Sequence, residues 1–117
     1  MRLRMHVKHD VRQTSLLAFY EEYPRLGKRQ LEVLKAIRDL NSIGQHPTDW
    51  EITKVLGYAD PNKVRPRRYE LMQYGLIEEA GRRQCSITGK LALTWKLSPR
   101  ILDKIDLILK MQEEVRE

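Results

Sequence analysis

Residues 62 to 73 combine side chains that suit hydrogen bonding to nucleic-acid bases and phosphates. Two amides, three cations and one phenol make up the group, which is Asn62, Lys63, Arg65, Arg67, Tyr69 and Gln73. An arginine can bind the edge of guanine with two hydrogen bonds, and an asparagine can bind adenine in the same way. Lysine and arginine also bind phosphates, which position a protein without reading sequence. These six residues are therefore candidate contacts for double-stranded DNA.

A helix over residues 61–74 would divide this group by direction. At about 100° per residue, Val64 and Leu71 lie on one side and define the buried face. The opposite side is predicted to enter a major groove, where side chains read base edges. It carries Asn62, Arg65, Tyr69 and Gln73. Lys63 and Arg67 lie on the flank, where we expect contacts with phosphates.

Two residues of this helix have a second interpretation. Arg68 lies about 40° from Val64, nearer the core than the groove. We predict that its stem packs under the following loop, while its guanidinium pairs with Glu78 or Glu79. Tyr69 has the alternative role of sealing the edge of the core.

A second polar group follows, between two predicted strands at 76–82 and 91–97. The loop joining them carries Arg82, Arg83, Gln84 and Lys90. A basic loop of this kind can lie on the phosphate backbone or enter the minor groove, where negative potential is focused. The alternative is that these charges only keep the hairpin soluble. Trp95, in the second strand, is expected in the core.

The charge of the chain agrees with a polyanionic partner. Its 117 residues include 22 Lys and Arg against 16 Asp and Glu, a formal net charge of +6. Residues 61–96 hold eight basic and three acidic side chains, or +5. The alternative is a solvated basic face without a partner. The length and the 41% hydrophobic content are sufficient for one domain with one core.

No enzyme, cofactor or metal site is predicted from the sequence. Cys85 is the only cysteine, so there is neither a disulfide framework nor a zinc ligand set. We expect it to be a small buried residue or part of the loop, with redox sensing as the alternative. His6 and His9 are three residues apart and lack a third ligand. Neither an apolar run of membrane-spanning length nor a signal core occurs, which predicts a cytoplasmic protein.

Helix caps and turn residues predict the elements that position these side chains. A first helix is expected from Thr14 or Ser15 to Tyr23, and a second from 26 to 40. Thr48 with Glu51 fits the capping box of a short third helix, in which Ile52, Val55 and Leu56 are expected to face inward.

The fourth predicted helix, over residues 61–74, is the one that carries the candidate contacts. Asp60 and Pro61 begin it and Gly75 ends it. Pro66 lies awkwardly within it, because proline is tolerated only in the first turn of a helix. The true start is therefore nearer Lys63, or the helix is kinked.

A last helix within residues 98–117 begins at Ser98 and Pro99. Its apolar seam consists of Ile101, Leu102, Ile105, Ile108 and Leu109. An isolated helix of this length is marginal in water, so the seam must be buried. Either the helix folds back on its own domain, or it pairs with a second chain in a homodimer. Of the two, we predict dimerisation.

This order of helices, glycines and hairpin resembles the MarR-like winged helix-turn-helix family over about residues 14–97. The segments V-R-P-R-R-Y-E-L at 64–71 and T-G-K-L-A-L-T-W at 88–95 are similar to small winged-helix proteins of phages and prophages, as are R-Q-T-S at 12–15 and G-K-R-Q at 27–30. The resemblance implies a three-helix core with an antiparallel hairpin, in which helix 61–74 recognises DNA and residues 82–90 form the wing. Regulators of this family usually dimerise through terminal helices.

The sequence thus predicts a mainly α protein with a small β-wing and extra terminal helices. Residues 1–13 would be a basic arm, 14–97 the DNA-binding domain and 98–117 a dimerisation helix. The predicted function is sequence-specific binding of double-stranded DNA, as a homodimeric transcription regulator without a cofactor. The alternative is a winged-helix adaptor in phage-type replication or transcription machinery, which binds protein or binds DNA non-specifically.

Overall fold

The computed structural model describes residues 21–116, with side chains described to residue 114. Helix α1 spans Lys28–Ser42, α2 Asp49–Leu56 and α3 Arg65–Gln73; strands β1 and β2 span Ile77–Gln84 and Leu91–Leu97; and α4 spans Ile105–Arg116. Short 3₁₀ turns at Pro61–Lys63 and Pro99–Ile101 precede α3 and α4. The predicted winged helix-turn-helix architecture is confirmed. The predicted arm at 1–13 lies outside the described residues, as does the first helix except for helical residues 21 and 22.

The predicted capping box begins α2. The backbone N–H of Glu51 donates to Thr48 Oγ1 at 3.2 Å, and the N–H of Thr48 donates to Glu51 Oε1 at 3.0 Å. Gly57 ends the helix in the left-handed conformation, with φ of 80°. The inward orientation predicted for Val55 is wrong, because its side chain is 58% exposed. Thr53 is buried instead, and its hydroxyl donates to the Asp49 carbonyl at 2.7 Å.

The chain forms two elements over residues 61–74, so the α-helix starts later than Pro61, as Pro66 indicated. Asp60 caps the 3₁₀ turn by accepting a bond from the Asn62 N–H at 2.9 Å. The α-helix begins only at Arg65, so Pro66 is its second residue. In the first turn a backbone N–H has no intrahelical acceptor, and the missing N–H of proline costs nothing there. Asn62 and Lys63 therefore belong to the turn and not to the helix.

The two strands form an antiparallel hairpin with a bulge between Glu79 and Gly81. β1 extends two residues beyond the predicted end, so three of the wing residues lie in a strand. Arg82, Arg83 and Gln84 pair with Leu93, Ala92 and Leu91. Of the four predicted wing residues only Lys90 lies in the connecting turn. Cys85 closes this turn, since its N–H donates to the Lys90 carbonyl and its carbonyl accepts from the Gly89 N–H, both at 2.8 Å.

The core is formed by one face of α1, the inner residues of α2 and α3, the hairpin and α4. Four residues of the predicted dimer seam belong to this core: Ile101, Ile105, Ile108 and Leu109. Only Leu102 is exposed, at 56%. The prediction of a dimer seam is therefore wrong for those four, because the turn at Pro99–Ile101 brings the chain back onto its own domain. No helix among residues 21–116 is long and apolar enough to span a membrane.

The C-terminal helix is also joined to the start of the domain by a buried glutamine. Gln112 is 2% exposed. Its Oε1 accepts a bond from the Leu26 N–H at 2.9 Å, and its Nε2 donates to the Pro24 carbonyl at 3.0 Å. At the surface Arg38 pairs with Asp106 at 2.7 Å, and Lys35 pairs with Glu113. Polar and apolar contacts together place α4 against α1.

Replacing Gln112 with alanine is expected to lower the free energy of unfolding by about 2–4 kcal/mol, because a buried N–H and a carbonyl lose their partner. Urea denaturation followed by circular dichroism measures this difference. Lys110→Ala, at an exposed position of the same helix, is the control and should change stability by less than about 0.5 kcal/mol. Equal stability of the two variants would show that the glutamine bonds contribute nothing.

Candidate nucleic-acid interface

The outer face of α3 and the turn before it carries the six predicted contacts. Five of them are exposed, namely Asn62, Lys63, Arg65, Tyr69 and Gln73, whereas Arg67 is half-buried. This face is oriented by the opposite side, where Val64 and Leu71 are completely buried. Tyr69 is 50% exposed, so its ring does not seal the core. Its hydroxyl accepts a bond from Gln73 Nε2 at 3.2 Å, which joins two of the proposed base-reading side chains.

The cations of this surface are loosely held. Arg65 Nε lies 3.7 Å from Asp49 Oδ2, and Arg67 Nε lies 3.4 Å from Glu70 Oε1. Exposed pairs of this kind contribute about 0–1 kcal/mol. Lys63 has no ion pair among the described residues, and its Nζ is 5.5 Å from the centroid of the Tyr58 ring. The three charges can therefore turn towards a phosphate or a base at little cost.

Arg68 has the predicted structural role but a different partner. Its Nε and Nη2 donate to the two carboxylate oxygens of Asp49, at 3.0 and 2.8 Å. Its Cζ lies 4.1 Å from the centroid of the Trp95 ring. Trp95 is buried in the core, as predicted. The predicted pairing with Glu78 or Glu79 is wrong, because Arg68 points towards α2, and Glu78 lies 3.6 Å from Lys96.

A second carboxylate fixes the wing against α2. Glu51 accepts bonds from Arg83 Nη1 and Nη2 at 2.8 and 2.5 Å. It also accepts from the N–H and the hydroxyl of Ser86, at 2.9 and 2.8 Å. Arg83 Nη2 donates further to the His46 carbonyl at 2.8 Å. The capping glutamate of α2 is thus the centre of a network, termed here the Glu51 network, that binds the end of β1 and the start of the wing turn to α2.

The electrostatics of this network keep Glu51 ionised. The Arg83 guanidinium is the main cause that lowers the pKa of Glu51 from 4.5 to about 2. Partial burial acts in the opposite direction, and hydrogen bonds from Ser86 and Thr48 reinforce the lowering. In return, Glu51 raises the pKa of Arg83. The network is therefore fully charged at neutral pH.

The four predicted wing contacts divide into two pairs. Arg82 and Lys90 are exposed, and neither has an ion pair within the described part of the chain. Arg83 is bound to Glu51, and Gln84 Nε2 donates to the Gly89 carbonyl at 2.8 Å across the turn. Arg83 and Gln84 thus hold the wing in shape, while Arg82 and Lys90 present charge to the solvent.

The start of α3 and the wing lie next to each other. A cavity of about 150 Å³ between them is lined by Arg65 and Arg68 of α3, and by Thr88 and Leu93 of the hairpin.

Cys85 also lines this cavity, and its side chain is 2% exposed. Its Sγ lies 3.1 Å from the Thr48 hydroxyl oxygen. It is a buried residue of the wing, as expected. Among the described residues no group of three or more His, Cys, Asp or Glu side chains could hold a metal ion.

The same fold is found in solved structures of other proteins. A mutant of MepR from S. aureus matches with a TM-score of 0.58 and 13% identity, over 96% of this chain and 75% of that one. PcaV, a transcriptional regulator from Streptomyces coelicolor, gives 0.52 and 15%, over 98% and 78%. The MarR family transcription regulator SP03579 gives 0.51 and 16%, over 96% and 67%. This chain has the MarR-type winged-helix fold.

The resemblance drawn from the sequence is therefore confirmed for the fold. At 13–16% identity the likeness shows the fold alone. No protein-family model matches the sequence, and no curated protein matches it. Helix α3 is the second helix of the helix-turn-helix, and the hairpin is the wing of this winged-helix fold.

Sequence reasoning missed the two acids that organise the site, Asp49 and Glu51. Both lie in the first turn of α2, where the helix dipole favours acids. Because this local role already explains the two acids, their contacts with distant arginines were not predicted. The signal that could have found them is the excess of arginine at 65–68 and 82–83. A half-buried arginine needs an acidic partner, and few acids are available nearby in this fold.

The Glu51 network predicts a specific pH dependence of stability. The folded pKa of Glu51, about 2, is below its ordinary value of 4.5, so its stabilising effect is complete above pH 4.5 and is lost as the pH falls towards 2. When the pH falls from 7 to 3, the stabilisation by Glu51 should decrease, and the unfolding free energy of the native protein should fall by about 2 kcal/mol from this group. Glu51→Gln should not show this loss.

Urea denaturation of both proteins at the two pH values measures the difference. Glu79→Gln is the matched control, since Glu79 is an exposed glutamate of the same hairpin. It should lose as much stability on acidification as the native chain. A parallel loss in all three proteins would contradict the assigned role of Glu51.

Proposed function

We propose that this protein binds double-stranded DNA in a sequence-specific manner and regulates transcription. The observation that supports this best is the exposed face of α3 and its leading turn. There Asn62 of the turn and Arg65 and Tyr69 of α3 are exposed, while Val64 and Leu71 are buried in the core. Amide, guanidinium and phenol groups on the outer face of one helix suit the base edges of a major groove. Two solved structures of the same fold are described as transcription regulators.

Each predicted contact has a role in this proposal. Asn62, Arg65, Tyr69 and Gln73 read bases, and Lys63 and Arg67 bind phosphates beside them. In the wing, Arg82 and Lys90 contact the backbone or the minor groove. Arg83 and Gln84 were expected to make the same contacts, but their bonds within the wing favour a supporting role. No cofactor and no catalytic residue belong to the proposal.

A homodimer remains a prediction, and its contact surface differs from the predicted seam. Up to residue 114, the exposed large apolar side chains of the C-terminal segment are Leu102 and Leu107, at 56% and 57%. We propose that a second copy of the chain covers this surface. Sedimentation velocity tests it, because Leu102→Glu with Leu107→Glu should convert a dimer to a monomer. A native chain that sediments as a monomer at all concentrations contradicts the proposal.

Selection from a randomised duplex library is the experiment that tests the function. Sequencing of the bound fraction should show an enriched motif, and a dimer should enrich a palindrome with half-sites about one helical turn apart. Salt-sensitive binding without an enriched motif would support the alternative, an adaptor that binds DNA non-specifically in phage-type replication or transcription machinery. Absence of binding at low salt would overturn DNA binding altogether.

Replacing Arg65 and Arg67 together with alanine is expected to weaken DNA binding at least about 100-fold, since one base contact and one phosphate contact are lost. The ion pairs of both arginines are loose, at 3.7 and 3.4 Å, so the unfolding free energy should change by less than about 1 kcal/mol. Fluorescence anisotropy with the selected duplex measures the affinity, and thermal denaturation measures the stability.

Lys104→Ala with Lys110→Ala is the matched control. It removes the same charge from exposed positions of the C-terminal segment. Its affinity should remain within about threefold of the native value, because distant charges are largely screened. If both double variants lose affinity equally, general charge attraction and not the recognition helix would account for binding.

A further inference from the structure

Tyr58 lies in the segment that joins α2 to the 3₁₀ turn, and two cations lie over its ring. Arg29 Cζ is 5.0 Å from the ring centroid and Lys63 Nζ is 5.5 Å from it. Arg29 belongs to the first turn of α1, whereas Lys63 belongs to the 3₁₀ turn before α3. One aromatic ring thus brings together positive charges from two separate elements. Arg29 and Tyr58 were not among the contacts predicted from the sequence.

Neither of the two cations forms an ion pair with a described carboxylate, although Glu32 lies beside the ring. The Tyr58 hydroxyl donates to Glu32 Oε1 at 2.5 Å, so that carboxylate is bound to the phenol. Asp60 accepts the Asn62 N–H as the cap of the 3₁₀ turn. Within the described residues neither Arg29 nor Lys63 has a carboxylate oxygen within the 4.0 Å of an ion pair. The bond to Glu32 is also the main cause that raises the pKa of Tyr58, so the ring remains neutral.

The positive charges of Arg29 and Lys63 repel each other, although each is attracted to the Tyr58 ring. An anion between or beside them would relieve the repulsion and retain both attractions. A DNA strand supplies such anions in series, with a phosphate about every 3.4 Å along the axis. Two cations grouped on one ring can therefore bind neighbouring phosphates of the same strand.

We propose that Arg29, Tyr58 and Lys63 form a site, termed here the Tyr58 clamp, for the phosphate backbone of DNA. This inference rests on the proposed function and extends its contact surface from α3 and the wing to the start of α1. Arg29 and Lys63 bind phosphate oxygens. Tyr58 is a positioning residue, which orders both cations before binding, and Glu32 fixes the orientation of the phenol.

The salt dependence of affinity tests the clamp, because each phosphate contact contributes about 0.9 to the slope of log K against log salt. Arg29→Gln should lower that slope by about 0.9 and weaken binding about five- to tenfold at 0.1 M salt. The loss should be equal for the selected duplex and for a random duplex, because phosphates carry no sequence information. Lys110→Gln, with the same charge change on α4, should leave the slope unchanged.

Two further variants separate the clamp from a fault in folding. Glu32→Gln removes a nearby negative charge and should tighten binding about twofold, a gain that misfolding cannot produce. Tyr58→Phe keeps the ring and should retain the native slope, whereas Tyr58→Leu removes the ring and should weaken binding about threefold with a reduced slope.

The outcomes for the clamp and for the proposed function are distinguishable. If the native protein binds DNA but Arg29→Gln has the native slope and affinity, the clamp is overturned and the proposed function stands. Tyr58→Leu with the native slope would likewise overturn the positioning role. If the native protein binds no duplex at low salt, the proposed function fails and the clamp fails with it.

Discussion

The arrangement of the proposed DNA surface depends on the contact of Arg68 with Asp49 and Trp95. The two charged side chains are each 15% exposed and form two parallel hydrogen bonds, while the guanidinium lies on the indole ring. Removing either charged partner would leave a poorly hydrated charge, at a cost of several kcal/mol. Because Arg68 belongs to α3, Asp49 to α2 and Trp95 to β2, this single contact fixes α3 relative to both α2 and the wing.

Arginine has several different functions in this small domain, and acids decide which one applies. Arg68 and Arg83 are bound by Asp49 and Glu51, so they hold the fold together. Arg65 has only a loose pair and Arg82 has none among the described residues, so both are available to a ligand. The density of positive charge along the sequence therefore overstates the number of contacts that a nucleic acid can gain. The useful measure is the positive charge that remains after the internal pairs are counted.

Local signals in the sequence predicted the fold well, whereas distant pairings could not be read from it. The Thr48 and Glu51 box and the Gly57 end of α2 depend on neighbouring residues, and the structure confirms both. Pro66 correctly indicated a break near the start of the recognition helix. The partners of Arg68 and Arg83 lie 19 and 32 residues away, so the excess of arginine indicates that acidic partners exist but neighbouring residues do not identify them. For the same reason the apolar seam at 101–109 fitted a second chain as well as its own core.

The bonds of Gln112 bear on when this domain can fold during synthesis. They join residue 112 to positions 86 and 88 residues earlier, beside α1. A nascent chain leaves the ribosome with its N-terminal side first. The two bonds of Gln112 can therefore form only after α1, α2, α3 and the hairpin have already emerged. The contacts that join α4 to α1 are thus the last part of the domain that can be completed during synthesis.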